Sequence, residues 1–550
     1  MANDLKTSSK TTGLRYWMER VLHECDRVSA GFDADPVHDL RVSLRRCRSM
    51  ADGMMAIDPE PDWKAMKKAG KRLFQRLGNL RDVQIMMDWI DKLTVTPLSA
   101  PMQLPPPADG SAGDAAATDG SQHDPAAYAL LHILRARETE QKHEARAVLE
   151  AFDRKDWSRW SKFLPSRASH VRPGSVVFKH LALERWMAAR ELHVRAMRNR
   201  SQVALHTLRI GIKRFRYIVE NFLPAEHKAW SNDLKHMQDL LGEVHDLDVL
   251  WATALACRVF PDETSRKAWH ARIIDERTKR VDEYRQKMTG PGSLWHVWRA
   301  GLPQGKQIQE IATRRMKLWA KALDPDFRHS ERVARLALQL YDGLSKARLL
   351  TPDDNGDAAR SRGALRVAAL LHDVGKAKGN KGHHKQSMDL INKHGTPLGW
   401  TPEIMQRAAL VARFHCGALP TRNHKTLRDL VPQEQKIIVR LAAILRLANA
   451  FDVEHNGSVL RLKVENPVSI PEGRKPRTNG FLRKAATLGK NEALVIEAEG
   501  YLPGSATAQA VAAERYLLET LLRHPILIKP MERKPEILST EIGVHRAAIA

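Results

Sequence analysis

No stretch of 18 apolar residues occurs in this chain, so no part of it reads as a membrane-spanning helix. The amino terminus, Met1 to Lys10, is polar and lacks the apolar core of a secretory signal, so none is expected. Cysteine is scarce: Cys25, Cys47, Cys257 and Cys416 are widely spaced and form no CxxC pair. That usage fits a reducing cytosol and argues against both a disulfide framework and a thiolate zinc site. Acid is the other shortage, with 64 Asp plus Glu against 89 Lys plus Arg and a formal net charge of +25. A surplus that large leaves the fold open but calls for a polyanionic partner: nucleic acid, an anionic membrane or a phosphate polymer.

Apolar residues make up 43% of the chain, ample for folding, and 550 residues are too many for one ordinary core, so two or three domains are expected. From Thr96 to Pro125 the sequence is rich in Pro, Ala, Gly, Asp and Ser, a composition that predicts a disordered linker. On either side, from Leu14 to about Leu93 and from about Tyr128 to Trp298, apolar residues recur every three or four positions, as amphipathic helices require. Strand-like alternation occurs only late, in Val459–Val464 and Ala493–Ala498. Gly301-Leu-Pro-Gln-Gly305 marks the main boundary, giving units at 1–301 and 306–530 and a tail at 531–550.

The first unit is internally duplicated. Val37-His38-Asp39-Leu40-Arg41-Val42-Ser43-Leu44-Arg45-Arg46-Cys47-Arg48 aligns without a gap on Leu205-His206-Thr207-Leu208-Arg209-Ile210-Gly211-Ile212-Lys213-Arg214-Phe215-Arg216. A second match follows each copy: Lys71 through Leu77-Gly78-Asn79-Leu80-Arg81-Asp82 pairs with Lys235 through Leu241-Gly242-Glu243-Val244-His245-Asp246. Asp35 and Pro36 supply an N-cap and a first helical residue for the first copy. Val37, Leu40, Leu44 and Cys47 then form one stripe, as do Leu205, Leu208, Ile212 and Phe215. His38, Arg41, Arg45 and Arg48, and likewise His206, Arg209, Lys213 and Arg216, form a second stripe rotated by about 100° from the first. Like charges at such spacing destabilise their own helix by a few tenths of a kcal/mol per pair, so a partner outside the helix must compensate. A chain of phosphates does so, and the arginine fork grips two phosphate oxygens at once. A merely solvated face has no reason to keep His and three cations at matching places twice.

These residues resemble the CHAD family, over roughly Gly13 to Gly301 with the linker inserted. The resemblance implies a mainly α fold: two antiparallel four-helix bundles related by a pseudo-twofold, with a basic channel between them that binds polyphosphate. It places His38, Arg41, Arg45, Arg48, Lys71, Arg81, His206, Arg209, Lys213, Arg216 and Lys235 along that channel, with His245 where the first copy has Arg81. The Glu-x-Glu-x-Lys strand of the triphosphate tunnel domains that often accompany CHAD modules is missing, so their hydrolase activity is not inferred.

In the second unit His372-Asp373 follows an apolar run and precedes Val374-Gly375-Lys376, with His329 upstream and His383, His384, His415 and Asp452 downstream. Such a His-Asp pair can offer one divalent cation both an imidazole nitrogen and a carboxylate oxygen. The pattern resembles the HD phosphohydrolase superfamily. More narrowly, Ala369-Leu-Leu-His-Asp-Val-Gly375, Gly382-His-His-Lys-Gln-Ser387, Ala412-Arg-Phe-His415 and Leu441-Ala-Ala-Ile-Leu-Arg-Leu-Ala-Asn449 resemble the C-terminal HD-type domain of the exopolyphosphatase and guanosine-pentaphosphatase family, over about Lys306 to Pro530. That implies a helical HD-type domain with a few late strands. The actin-like catalytic lobe of that family, with its Asp-x-Gly-Ser loop, has no counterpart before residue 306. The resemblance implies a divalent metal, Mn or Mg, on His329, His372, Asp373, His383 and His415, and Asp452, one helical turn past Asn449, is the acid that could complete the set. Asn449 stands where metal-dependent HD enzymes carry an acid, and a neutral amide is a poor ligand.

Three functions fit. One is polyphosphate binding by the CHAD unit, with the HD-type lobe and its Lys376–Lys385 loop as a second phosphate surface, in a cytoplasmic granule-associated or sensing role. Another is a metal-dependent phosphohydrolase acting on polyphosphate or a phosphorylated nucleotide. The third, nucleic-acid binding, is permitted by charge but disfavoured because the basic faces carry no interleaved aromatics for base stacking. No catalytic residue, oligomeric state or membrane association is assigned. Cys416 beside His415 has no orienting partner visible in the sequence and is set aside as a nucleophile.

Overall fold

The structure, a computed structural model, describes residues 13–95, 124–199, 201–350, 357–421, 423–469 and 492–531. Of the expected linker, 96–123 lie outside the described residues, as do 532–550 of the tail. Asp124 and Pro125, assigned to the linker from composition, are instead structural. Asp124 caps the helix that Pro125 begins, accepting from Ala126 N and Ala127 N, and also accepts from Trp269 Nε1 at 2.8 Å.

The chain divides at Ile311/Ala312 into two units. The first holds ten helices among its described residues, two runs of five in matching order. The first run is α1 (Leu14–Gly31), α2 (Ala34–Met54), α3 (Pro61–Val95), α4 (Pro125–Glu150) and α5 (Arg154–Ala168). The second is α6 (Val176–Asn199), α7 (Gln202–Phe222), α8 (Pro224–Cys257), α9 (Glu263–Met288) and α10 (Leu294–Ala300). Consecutive long helices pack on one another within each run, and across the runs α2 meets α7 while α3 meets α8. The apolar stripes are the reason: Val37, Leu40, Leu44, Cys47, Leu205, Leu208, Ile212 and Phe215 are all buried. Helix α2 starts two residues earlier than the sequence suggests. Its N-cap is Asp33, whose side chain makes no capping bond, and Asp35 sits in the first turn, where an acid complements the helix dipole. At the far end Met86, Trp89 and Ile90 of α3 share a core with Leu130 of α4, Leu250 of α8 and Trp269 of α9, joining the two copies.

The boundary falls within α11 (Gln307–Lys321). The second unit continues with α12 (Phe327–Lys346), α13 (Asp357–Leu371), a 3₁₀ turn (Val374–Lys378), α14 (His383–His394), α15 (Pro402–Arg413) and α16 (Pro432–Ala450). Four late strands follow among the described residues: β1 (Arg461–Val464), β2 (Val468–Ser469), β3 (Glu492–Glu499) and β4 (Ile526–Pro530), with α17 (Ala506–Leu522) before the last. Two of them, β1 and β3, are those the alternation pointed to. Both β1 and β2 pair antiparallel with β3, Leu462 opposite Ala498, and β4 pairs parallel with it, Leu494 opposite Ile526. The protein is thus mainly helical with late strands. Helices α13 and α16 are apolar on nearly all sides and form the centre of this unit, so the ends of α13 and α16 carry buried polar groups. No helix among the described residues is long and apolar enough to cross a membrane.

Candidate functional site

In the first unit one member of the α2 basic stripe and two of the α7 stripe line a cleft of about 530 Å³. Arg41 of α2, Phe74, Gly78 and Asp82 of α3, Arg209 and Lys213 of α7, and His245 and Asp246 of α8 line it. A second cleft of about 400 Å³ shares Arg209, Lys213 and Asp246 and adds Arg81 and Glu243. A Cβ at Gly78 would lie 2.8 Å from Arg41 Nη1, so its absence lets the guanidinium lie close against α3. A Cβ at the matching Gly242 would lie 3.9 Å from Arg209 Nε, the same arrangement more loosely packed.

The cations are poorly compensated. Arg41 Nη1, Arg45 Nε and Arg48 Nε and Nη1 are buried and find no hydrogen-bond acceptor among the described residues. Leaving such charged donors unmet costs on the order of 1–3 kcal/mol each, which an anion reaching them would recover. Aromatic rings support them in place. The Arg41 and Arg48 guanidiniums lie 5.2 and 4.7 Å from the Phe74 centroid, and Arg45 and Lys213 lie 5.5 and 5.8 Å from that of Tyr217. The crowding shows in the proton equilibria. Burial, with Arg209, Arg45 and Arg41 nearby, brings the Lys213 ammonium down to about 8. Burial and Arg209 lower His245 to about 4, and burial with neighbouring cations also lowers His38 and His206. The histidines of the signature are therefore neutral near pH 7 and add no charge to the empty cleft. Burial raises Asp246 to about 6 even though Arg209 opposes it.

Not every expected residue joins this cleft. Arg216 is 3.9 Å from Glu220, which also pairs with Arg46 across α2 and α7, so its charge is partly neutralised. Lys71 and Lys235 are exposed on α3 and α8 and line neither cleft, and His38, Arg45, Arg48 and His206 are likewise outside both linings. His206 touches His245, their Nδ1 atoms 3.2 Å apart. Sequence reading missed Phe74 and Tyr217, which come from outside the aligned cation positions, and the acids Asp82 and Asp246, which the repeat does carry.

The second unit gathers four imidazoles around one carboxylate. His329 comes from the first turn of α12, His372 and Asp373 from the end of α13, His383 from the start of α14 and His415 from just past α15. Gly375 allows this convergence, since a Cβ there would lie 2.0 Å from the His383 carbonyl oxygen. Backbone carbonyls set three of the rings: His372 Nδ1–H donates to Ala369 O at 2.8 Å, His383 to Asn380 O at 2.8 Å and His415 to Ala412 O at 2.7 Å. Their Nε2 atoms turn inward, 3.5, 3.3 and 3.6 Å from Asp373 oxygens. His329 Nε2 lies 4.0 Å from Asp373 and 2.9 Å from Asn449 Oδ1. Ring nitrogens tied behind and open in front are what metal-binding imidazoles show. His372 Nε2 in particular is buried and makes no hydrogen bond among the described residues. Burial works against the charge on Asp373, but His372, His383, His415 and Lys376 outweigh it and hold its carboxyl far below the usual range. The bond to Asp373 is the largest factor lifting His383 to about 10.

Asp452 meets His329 on the ring nitrogen opposite to the one that faces Asp373. Its Oδ2 sits 2.8 Å from His329 Nδ1 and accepts from Arg332 Nε at 2.8 Å, and its Oδ1 accepts from Gly457 N. One helical turn beyond Asn449 the chain has left α16, and the carboxylate lands behind the imidazole, orienting it. Also unanticipated are Lys376, whose Nζ is 2.6 Å from Asp373 Oδ2, and His455, stacked on His329 with centroids 3.8 Å apart. Cys416, without a visible partner in the sequence, has His383 Nε2 at 3.7 Å and His384 Nδ1 at 3.6 Å.

The CHAD family model matches residues 14–255, and that of the Ppx/GppA phosphatase, domain III, matches residues 311–480. This chain joins a CHAD domain to a Ppx/GppA domain III. The cation clefts lie within the CHAD match and the imidazole cluster within the Ppx/GppA match. No curated protein matches the chain.

Proposed function

We propose that the CHAD unit binds inorganic polyphosphate through the joined α2 and α7 faces, with Arg41, Arg45, Arg48, Arg81, Arg209 and Lys213 as principal contacts. His38, His206 and Arg216 assist, and Lys71 and Lys235 guide the polymer at the periphery. The convergence of Arg41, Arg209 and Lys213 on one cleft, with Arg81 in the cleft beside it, carries the reading, since a linear polyanion can follow such a line of cations. The Ppx/GppA unit offers a second phosphate surface on its Lys376–Lys385 loop, which suits a granule-associated or sensing protein. Titration of the full chain with polyphosphate and with duplex DNA across a salt series tests this. Polyphosphate should bind more tightly at every salt concentration, with log K falling linearly in log salt. Equal affinity for DNA at physiological salt would overturn it.

The imidazole cluster favours a second activity, metal-dependent phosphohydrolysis. The donor set fits a divalent ion of the Mn or Mg class, held by His329, His372 and Asp373, whose ligand atoms lie within 4.8 Å of one another. Such an ion supplies Lewis-acid charge to a phosphoryl oxygen. Asn449 weighs against it, because its amide occupies His329 Nε2 and adds no negative charge. Phosphate release from polyphosphate with Mn²⁺ or Mg²⁺, compared with His372→Ala, separates binding alone from turnover.

A further inference from the structure

Two acids stand inside a cleft that is otherwise built for an anion. Asp82 of α3 and Asp246 of α8 close the second matching segment of each repeat, and both line the cleft shared by Arg41, Arg209 and Lys213. Asp246 also lines the neighbouring cleft, with Arg81. Among the described residues neither carboxylate is bonded to any of these cations, which act on it only through space. Glu243, another acid of the second cleft, is by contrast tied to Arg280 of α9. An acid that held an arginine in place would touch it. One left loose on the path of a polyanion repels that ligand unless it is protonated. We propose that Asp246, with Asp82 in the same cleft, is a proton-carrying contact for polyphosphate: its carboxyl takes a proton from solvent as the polymer enters and donates it in an O–H···O bond to a phosphate oxygen.

The proposal rests on the polyphosphate reading of the CHAD unit and adds a proton to it. The internal phosphates of such a chain are strong acids and bring no proton of their own. A carboxylate only accepts, whereas a protonated carboxyl donates, so one proton turns a repulsion into a hydrogen bond. The groups around Asp246 set where this happens. Burial raises its carboxyl to about 6 in the empty cleft; Arg209 and Arg81 oppose the rise, while Asp82 and Glu243 add to it. Partial loss of water raises Asp82 as well, against Arg41, Arg209, Lys213 and Arg81. A polyanion neutralises these cations and adds its own charge, and both changes push the two carboxyls further up. Proton uptake therefore falls between about pH 6 and 8, above the free carboxyl of Asp246 and below Lys213. At lower pH the carboxyl is already protonated before the ligand arrives, and affinity stops rising. His245 in the same cleft, His206 in contact with it and His38 of the first copy are the other groups able to charge in that window.

Calorimetric titration of the full chain with polyphosphate near pH 7, in buffers of different ionisation enthalpy, should report net proton uptake. Affinity should rise as pH falls from about 8 to about 6, by at most roughly tenfold per pH unit for each proton taken up. Asp246→Asn keeps the size of the side chain and offers an N–H donor at every pH, as the protonated acid does. It should bind polyphosphate several-fold more tightly than its parent at about pH 8, equally below about pH 6, and with fewer protons taken up. Asp82→Asn combined with it should enlarge the gain at high pH and remove more of the uptake. An unmodified protein that binds polyphosphate without taking up protons overturns the proposal. So does an Asp246→Asn protein that melts like its parent but binds no more tightly at high pH. A double variant with undiminished uptake overturns it too, since the histidines would then hold the protons. Failure of the unmodified protein to bind polyphosphate at any pH would instead sink the function proposed for the CHAD unit, and this contact with it.

Discussion

Arginine and lysine act differently in the cation cleft, and Lys213 shows why. Its proton is held less tightly in the folded protein than in the unfolded chain, because burial and three arginines oppose its charge and bring it to about 8. An arriving polyanion reverses that preference, so above pH 8 binding must take up a proton and affinity must fall as pH rises. Titrations at pH 7, 8 and 9 should show that fall, and Lys213→Arg, which stays charged throughout, should flatten it. Gly78 tests the same face sterically. Its replacement by Ala sets a methyl 2.8 Å from Arg41 Nη1, a flexible tip that can swing away. We expect polyphosphate affinity to drop several-fold while the melting temperature changes by no more than a few degrees, as calorimetry on one sample would show. At the other site Asn449→Asp adds a second carboxylate 2.9 Å from His329 Nε2. Mn²⁺ bound per chain after dialysis should rise, provided Asp452 still orients the ring from behind.

Helices α2 and α7 are repeats in sequence but not equals in the fold. Arg209 and Lys213 line both clefts, whereas Arg41 lines one and Arg45 lies beneath Tyr217. Removing Arg209 and Lys213 together should therefore weaken polyphosphate binding more than removing Arg41 and Arg45. Each double alanine variant should also lower the slope of log K against log salt, by roughly one unit for each phosphate no longer neutralised. Equal effects would mean that the two clefts are one symmetric channel. The stripes themselves were readable from sequence, since a 3.6-residue period places four apolar and four basic residues on adjacent faces whatever the partner helix is. Which basic residue meets a ring, an acid or open solvent was not. Phe74 reaches Arg41 from another helix, and Glu220, one turn on from Arg216, is shared with Arg46 of α2.

On the scale of the whole chain the insertion between α3 and α4 provides a test. Removing residues 98–122 should leave melting temperature and polyphosphate affinity nearly unchanged, since an insertion of linker-like composition contributes little beyond loop-closure entropy. The cut must stop before Asp124. Asp124→Ala removes both the α4 cap and the acceptor of Trp269, and should cost about 1–2 kcal/mol in denaturant unfolding. Helical content, the duplication, the late strands and the kinship of both halves were written in the sequence, because each depends on local periodicity or on short contiguous motifs. The partition of the imidazoles was not. One helical turn separates Asn449 from Asp452, and only the end of α16 decides that the acid falls behind His329 instead of before it. Cys416 likewise meets His383 and His384, 33 and 32 residues away along the chain. Distances of that kind are set when α13, α14, α15 and α16 pack around one core, and no spacing rule along a single strand of sequence encodes where four helix ends will meet.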